Sequence, residues 1–65
     1  MSYTVKAVND EGGLTLARHI ESIEIAREIG AKAFENGDID ADDIVQIWSD
    51  DEDVTAVEEF GFDEI

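Results

Sequence analysis

An α+β fold of order ββαβα, with a three-stranded antiparallel sheet and helices packed on one face, is what this sequence predicts. Three features carry that expectation: two strand-like runs before residue 21, one helical periodicity with marked ends, and a third strand-length apolar run after it. Tyr3-Thr4-Val5-Lys6-Ala7-Val8 is rich in β-branched and aromatic residues, and Leu14 to Ile20 alternates again after the stretch Asn9-Asp10-Glu11-Gly12-Gly13. That is the signature of a β-hairpin.

Ser22 is placed to cap a helix running to Asn36, and Gly37 falls where a left-handed residue closes a helix. At 100° per residue, Ile23, Ile25, Ala26, Ile29, Gly30, Ala33 and Phe34 share one half of the wheel, and Glu21, Glu24, Glu28, Lys32 and Glu35 share the other. After the acidic connector Asp38 to Asp43, Ile44-Val45-Gln46-Ile47-Trp48 has strand length. Ser49 and Glu52 match a capping box for a second helix, lined by Val54, Ala56, Val57 and Phe60 and stopped by Gly61, with Phe62 folding back on its last turn. A helix between the second and third strands acts as a crossover, which places the first strand centrally, antiparallel to both neighbours. Alternation then puts His19 with Thr4, Lys6, Thr15, Ala17, Gln46 and Trp48 on the sheet face away from the core residues Val5, Leu14, Leu16, Val45 and Ile47.

All this fits in 65 residues, so the expectation is one domain. The charge is extreme: 18 Asp plus Glu against 4 Lys plus Arg, net −14. Disorder is the rival at such a charge, but 43% of the residues are hydrophobic and fall into periodic patterns, which a solvated tail has no reason to show. A chain this short buries only about 60% of its unfolded surface, leaving little room for a catalytic cleft. With no cysteine it has neither a disulfide framework nor a thiolate site. No apolar run approaches the ~20 residues of a membrane span, and Met1-Ser2-Tyr3-Thr4-Val5 carries no basic leader, so a soluble cytoplasmic monomer is expected. Nucleic acid and anionic lipid are repelled by this charge, which points to a basic protein as the partner.

Each chemical constellation has an ordinary reading. Asp38-Ile39-Asp40-Ala41-Asp42 opens like a calcium loop, but Asp43 stands where the turn glycine belongs and Ser49 where a bidentate Glu belongs, so Asp40 is expected to cap a short helical turn instead, with Asp43 near its N3 position. His19 is the only imidazole, and no nucleophile setting accompanies it. Acid pairs such as Asp50 and Asp51, or Glu58 and Glu59, lack the sugar cleft that glycosidase chemistry requires. The sequence therefore predicts no enzyme, no cofactor and no metal.

The distribution of charge is less ordinary. From Met1 to Phe34 five acids accompany four bases, whereas Glu35 to Ile65 holds 13 acids and no base. Helix-start acids explain Asp50, Asp51 and Glu52 through the helix dipole, but nothing local explains why every cation is withheld after Lys32. Halophilic adaptation would spread acids over the whole chain, and an acidic adaptor or solubility module would need them only for self-repulsion, with contacts through exposed apolar residues such as Trp48. Imitation of nucleic acid is the third reading. Acids one helical turn apart, such as Glu24 and Glu28, lie about 5 to 6 Å apart, and acids two apart in extended chain, such as Asp38, Asp40 and Asp42, roughly 6.6 Å apart, near the spacing of successive phosphates.

In its size, its ββαβα order and its acidic block Glu35 to Glu64, the chain resembles small cysteine-free DNA-mimic proteins of phage and mobile elements. These include several anti-CRISPR inhibitors, and the likeness is to the type I inhibitors, including those of type I-C systems. The resemblance implies a protein of the bacterial host cytoplasm that occupies the PAM-reading, DNA-binding surface of the Cascade large subunit and stops target DNA from binding. Other DNA mimics block restriction enzymes, uracil glycosylases or histone-like proteins by the same physics. The partner-binding residues expected are Asp38, Asp40, Asp42, Asp43, Asp50, Asp51, Glu58 and Glu59, with Glu28 and Glu35 extending the row along the first helix.

Overall fold

Residues 2–51 and 55–64 are described by a computed structural model of the chain. Strands β1 (Tyr3–Asn9) and β2 (Gly12–Ile20) form an antiparallel hairpin. Its turn is Asp10-Glu11, where the Asn9 side-chain carbonyl accepts the Glu11 N–H at 2.8 Å. Lys6 pairs with Thr15, Val5 with Ala17 and Tyr3 with Ile20, so β2 carries an extra residue at each step. In the second of these bulges His19 takes a left-handed φ of 57°.

Helix α1 (Ile23–Asn36) has the ends its sequence announces. The Ser22 hydroxyl accepts the Glu24 N–H at 3.2 Å. Gly37, at φ 77°, donates to the Phe34 carbonyl, and Asp38 donates to that of Ala33, a Schellman closure that satisfies two orphan carbonyls. Ala26, Gly30, Ala33 and Phe34 are buried as the wheel predicts. Ile25 is 50% exposed, because it sits 100° behind Ala26 at the margin of the apolar arc.

Strand β3 (Ile44–Ser49) returns antiparallel beside β1, giving β1 the central position expected between β2 and β3. The described residues form no second α-helix. Residues Glu58–Gly61 form a fourth strand, β4, antiparallel to β3 at the sheet edge, and Phe62–Glu64 form a short 3-10 turn. The fold is therefore α+β with a four-stranded antiparallel sheet, order β2-β1-β3-β4, and, among the described residues, one α-helix on one face. The capping-box partner Glu52 and the apolar Val54 lie outside the described residues. Ser49 itself ends β3, buried, with its hydroxyl accepting the Asp51 N–H.

The reason β4 forms is non-local. A three-stranded sheet would leave the outer N–H and C=O groups of β3 unpaired, and Glu58–Gly61 satisfies them. Phe60 packs against the core, and Glu58 meets Arg27 of α1. Phe62 folds onto α1 rather than onto a second helix, its ring edge-on to Phe34 at 5.6 Å. Local spacing of apolar residues could not register these partners.

The core lies between α1 and the sheet: Val5, Ala7, Val45 and Ile47 from below, Ala26, Ala33 and Phe34 from above, with Ile39 closing one end. Leu14, expected in this core, is 55% exposed, since β2 is an edge strand and Leu14 lies near its open hairpin end. Gly30 sets the helix-to-sheet distance. A Cβ there would stand 2.7 Å from a Val45 methyl and 2.8 Å from the Phe60 ring.

Gly30→Ala should therefore destabilise the fold: overpacking costs about 1–3 kcal/mol, against a helix-propensity gain of about 1 kcal/mol. Urea melts check this, and a more stable variant would show that α1 can lift freely. His19→Gly should act in the opposite direction, relieving a left-handed conformation that costs an L-residue roughly 1–2 kcal/mol.

Candidate functional site

The antiparallel pairing of Val8 with Ile44 brings the hairpin turn and the loop after α1 to the same end of the sheet. Asp43 ties them together. Its buried carboxylate accepts from the Asn9 side-chain amide at 2.7 Å and from the Asp40 N–H at 3.0 Å, while its own N–H donates to the Asp40 carbonyl. The Asp40 to Asp43 turn exists, but the carboxylate that closes it is that of Asp43 and not, as expected, that of Asp40.

Around this knot lies a groove of about 540 Å³ lined by Val8, Asp10, Glu11, Asp40, Asp42 and Ile44 together with Asn9 and Asp43. The volume is that of a small-molecule cleft, but such clefts are mostly apolar, and this one is walled by carboxylates with no Lys or Arg. Its chemistry suits cationic side chains. Asp38 adjoins it beside Glu11 and Gly12, and Glu35 stands exposed in the last turn of α1 that leads into it. Asp10 and Glu11 were missed by sequence reasoning, which treated them only as turn residues. The central placement of β1 was the signal, because it puts residues 9–11 beside residues 42–43.

The ten expected partner-binding residues divide accordingly. Asp38, Asp40, Asp42 and Glu35 are exposed at the acidic end, and Asp43 is withdrawn into the structural knot beneath them. Glu28 is exposed but paired with Lys32 one turn on, at 3.2 Å. Glu58 is half-buried in a two-pronged bond to Arg27 at 2.6 and 2.7 Å, joining β4 to α1, and Glu59 lies on the opposite face, accepting from Gln46. Asp50 and Asp51 are at the far end of the sheet, so the row expected from the sequence is not continuous.

Asp50 is a structural residue. Hydroxyls of Ser2 and Thr4 donate to its two oxygens, and the Ser2 carbonyl accepts its N–H, pinning the start of β1 to the end of β3. These hydroxyls hold its carboxyl below the usual range; partial burial opposes them, and His19 and Arg18 add a smaller downward pull. Glu58 is likewise lowered, chiefly by its hydrogen bond to Arg27. His19 is exposed, 4.0 Å from Asp50, but the alternation that placed it with Ala17 is broken by the two bulges, which set Ala17 opposite the core residue Val5 and bring Arg18 beside Thr4, Lys6 and Trp48. Among the described residues no three His, Cys, Asp or Glu converge on a metal-sized site, and no helix is long and apolar enough to cross a membrane.

No protein-family model, curated protein or solved structure matches this chain.

The lowered carboxyls fix the sign of the acid response. Their unfolded forms bind protons first, so they stabilise the fold above about pH 4, and that contribution is lost as pH falls through the depressed folded values. Asp50→Asn and Glu58→Gln should be less stable than the parent at pH 7, with the gap closing in melts below about pH 4. Ionic strength should act independently: self-repulsion among the exposed acids predicts a melting temperature that rises from low to moderate salt. A flat or falling trend would mean that the acidic end exerts no net strain.

Proposed function

We propose that this chain is a DNA-mimic inhibitor, which covers the DNA-binding surface of a basic protein and so keeps DNA away. One observation carries the reading: exposed carboxylates from two separate segments, Asp10 and Glu11 on the hairpin turn and Asp40 and Asp42 on the loop after α1, line one groove that no cation enters. Among the described residues none of these four takes part in an ion pair. Arg27 and Lys32 are engaged by Glu58 and Glu28 on the helix, while Lys6 and Arg18 sit toward the other sheet face. The charge of these four carboxylates is thus gathered in one groove rather than neutralised in place.

A surface built this way attracts a site evolved for phosphates. Both present anionic oxygens a few ångströms apart, and both draw on the release of screening ions and long-range steering. The carboxylates of the mimic are held on a folded frame, so little ordering cost accompanies binding. The target proposed first is the PAM-reading surface of the Cascade large subunit, whose task is to recognise a short duplex. This follows from the resemblance in size, cysteine-free composition and acidic block. A contact of this kind has no need of a cofactor or a covalent step.

Binding spread over many exposed charges should tolerate single neutralisations, because each exposed pair contributes about 0.2–1 kcal/mol. Asp38, Asp40 and Asp42 replaced together by Lys should weaken binding to the target by on the order of tenfold or more while leaving the circular dichroism intact. The measurement is competition on purified Cascade with PAM-containing duplex, at two salt concentrations. DNA and this protein should exclude each other, and the complex should weaken steeply with salt. Simultaneous binding, or full inhibition by the triple variant, would replace the mimic reading with that of an acidic adaptor.

A further inference from the structure

The sheet has a second face, and no described element covers it, since α1 packs on the other. Cross-strand pairing lays Thr15, Lys6, Gln46 and Glu59 in one row across all four strands of that face, with Thr4 and Trp48 in the next row. The row is already wired. Lys6 Nζ lies 5.1 Å from the centre of the Trp48 ring, Trp48 Nε1 donates to Gln46 at 3.2 Å, and Gln46 Nε2 donates to Glu59 at 3.2 Å. Side chains held in place before contact lose little freedom on being covered. Ile44 is exposed on this face, and Val57, 47% exposed, falls on it by alternation from Glu59.

Charge divides the face lengthwise. Lys6 and Arg18 occupy the β1–β2 half, and neither belongs to a salt bridge among the described residues; Glu59 occupies the β4 half. We propose that this face binds a second copy of the chain, in a symmetric face-to-face dimer whose two-fold axis runs parallel to the strands. The charge layout selects that axis. Rotation about it places β2 of one copy over β4 of the other and β1 over β3, so Arg18 comes over the strand of Glu59 with Lys6 one strand away, twice over, as an isologous contact requires. A two-fold perpendicular to the strands would instead set β2 against β2 and its cations against each other. Aligned sheets are also one of the two arrangements in which sheets pack, and Trp48 near the middle supplies the aromatic anchor that interfaces favour.

The size of the face sets the strength. The molecule extends 28 × 22 × 17 Å, so its broadest side offers on the order of 600 Å², below the roughly 800 Å² per partner of standard interfaces. That is the low end of specific interfaces, the range of weak and transient contacts. The same axis brings the two acidic ends side by side, and that repulsion is screened within about 10 Å at 0.1 M salt. The proposal is independent of the DNA-mimic reading, which needs only the acidic end.

Trp48 is the only tryptophan, which makes the dimer directly readable. Sedimentation equilibrium at about 0.2 M salt, from micromolar to ~1 mM chain, should show the mass doubling, with Trp48 emission moving to the blue and acrylamide quenching falling over the same range. Lys6→Glu and Glu59→Lys should each raise the dissociation constant tenfold or more, roughly, and the double swap should recover most of the loss because opposite charges face each other again. Circular dichroism confirms that each variant is folded. A chain that stays monomeric to 1 mM, or a double swap no better than its singles, overturns the proposal. If Trp48 is protected only when Cascade is added, the face belongs to that partner and the proposal also fails.

Discussion

At Gly30 the backbone of α1 comes so near the sheet that one added methyl would meet both Val45 and Phe60. The remaining packing depends on that approach. It lets a single 14-residue helix close over β1 and β3, where Val5, Val45 and Ile47 are wholly buried, and it gives the Phe60 ring a place against the helix from the fourth strand. Arg27, one turn before Gly30 on the same helix, then reaches Glu58 on that strand. Helix position, edge strand and ion pair form one arrangement, in a chain with little other apolar area to draw on.

The charge follows from the same frame. One helix can cover only one face of four strands, so acids are left to the rim, the helix exterior and the loops. Two kinds of carboxylate result. Asp43, Asp50 and Glu58 are drawn into hydrogen bonds that join distant segments: Asn9 to the loop after α1, the start of β1 to the end of β3, and α1 to β4. They are the acids most coupled to stability. The carboxylates of Asp10, Glu11, Asp38, Asp40 and Asp42 enter no hydrogen bond or ion pair among the described residues, which leaves their charge available to a partner.

The bulged strand β2 and the short acidic strand β4 also explain why an open sheet of this size need not grow. Two bulges twist one edge, and Glu58 and Glu59 load the other with charge, so both edges resist adding a further strand. The interior of the outer face lies between those guarded edges.

Much of this was legible in the residues alone. Ser22 and Gly37 marked both ends of α1 because capping is a local exchange between a side chain or a left-handed residue and nearby backbone groups. The hairpin, the strand Ile44 to Trp48, the central position of β1 and the concentration of acids after Lys32 were equally readable, being matters of period, crossover and composition. Residues 58–61 were not. Their apolar spacing suits a helix, and only the unpaired edge of β3, the space above Gly30 and the guanidinium of Arg27 make them a strand. The sequence by itself determined how much negative charge the molecule carries; the tertiary structure decided which carboxylates are bound internally and which stand together, because that depends on strands meeting across more than thirty residues of chain, a distance over which no local propensity acts.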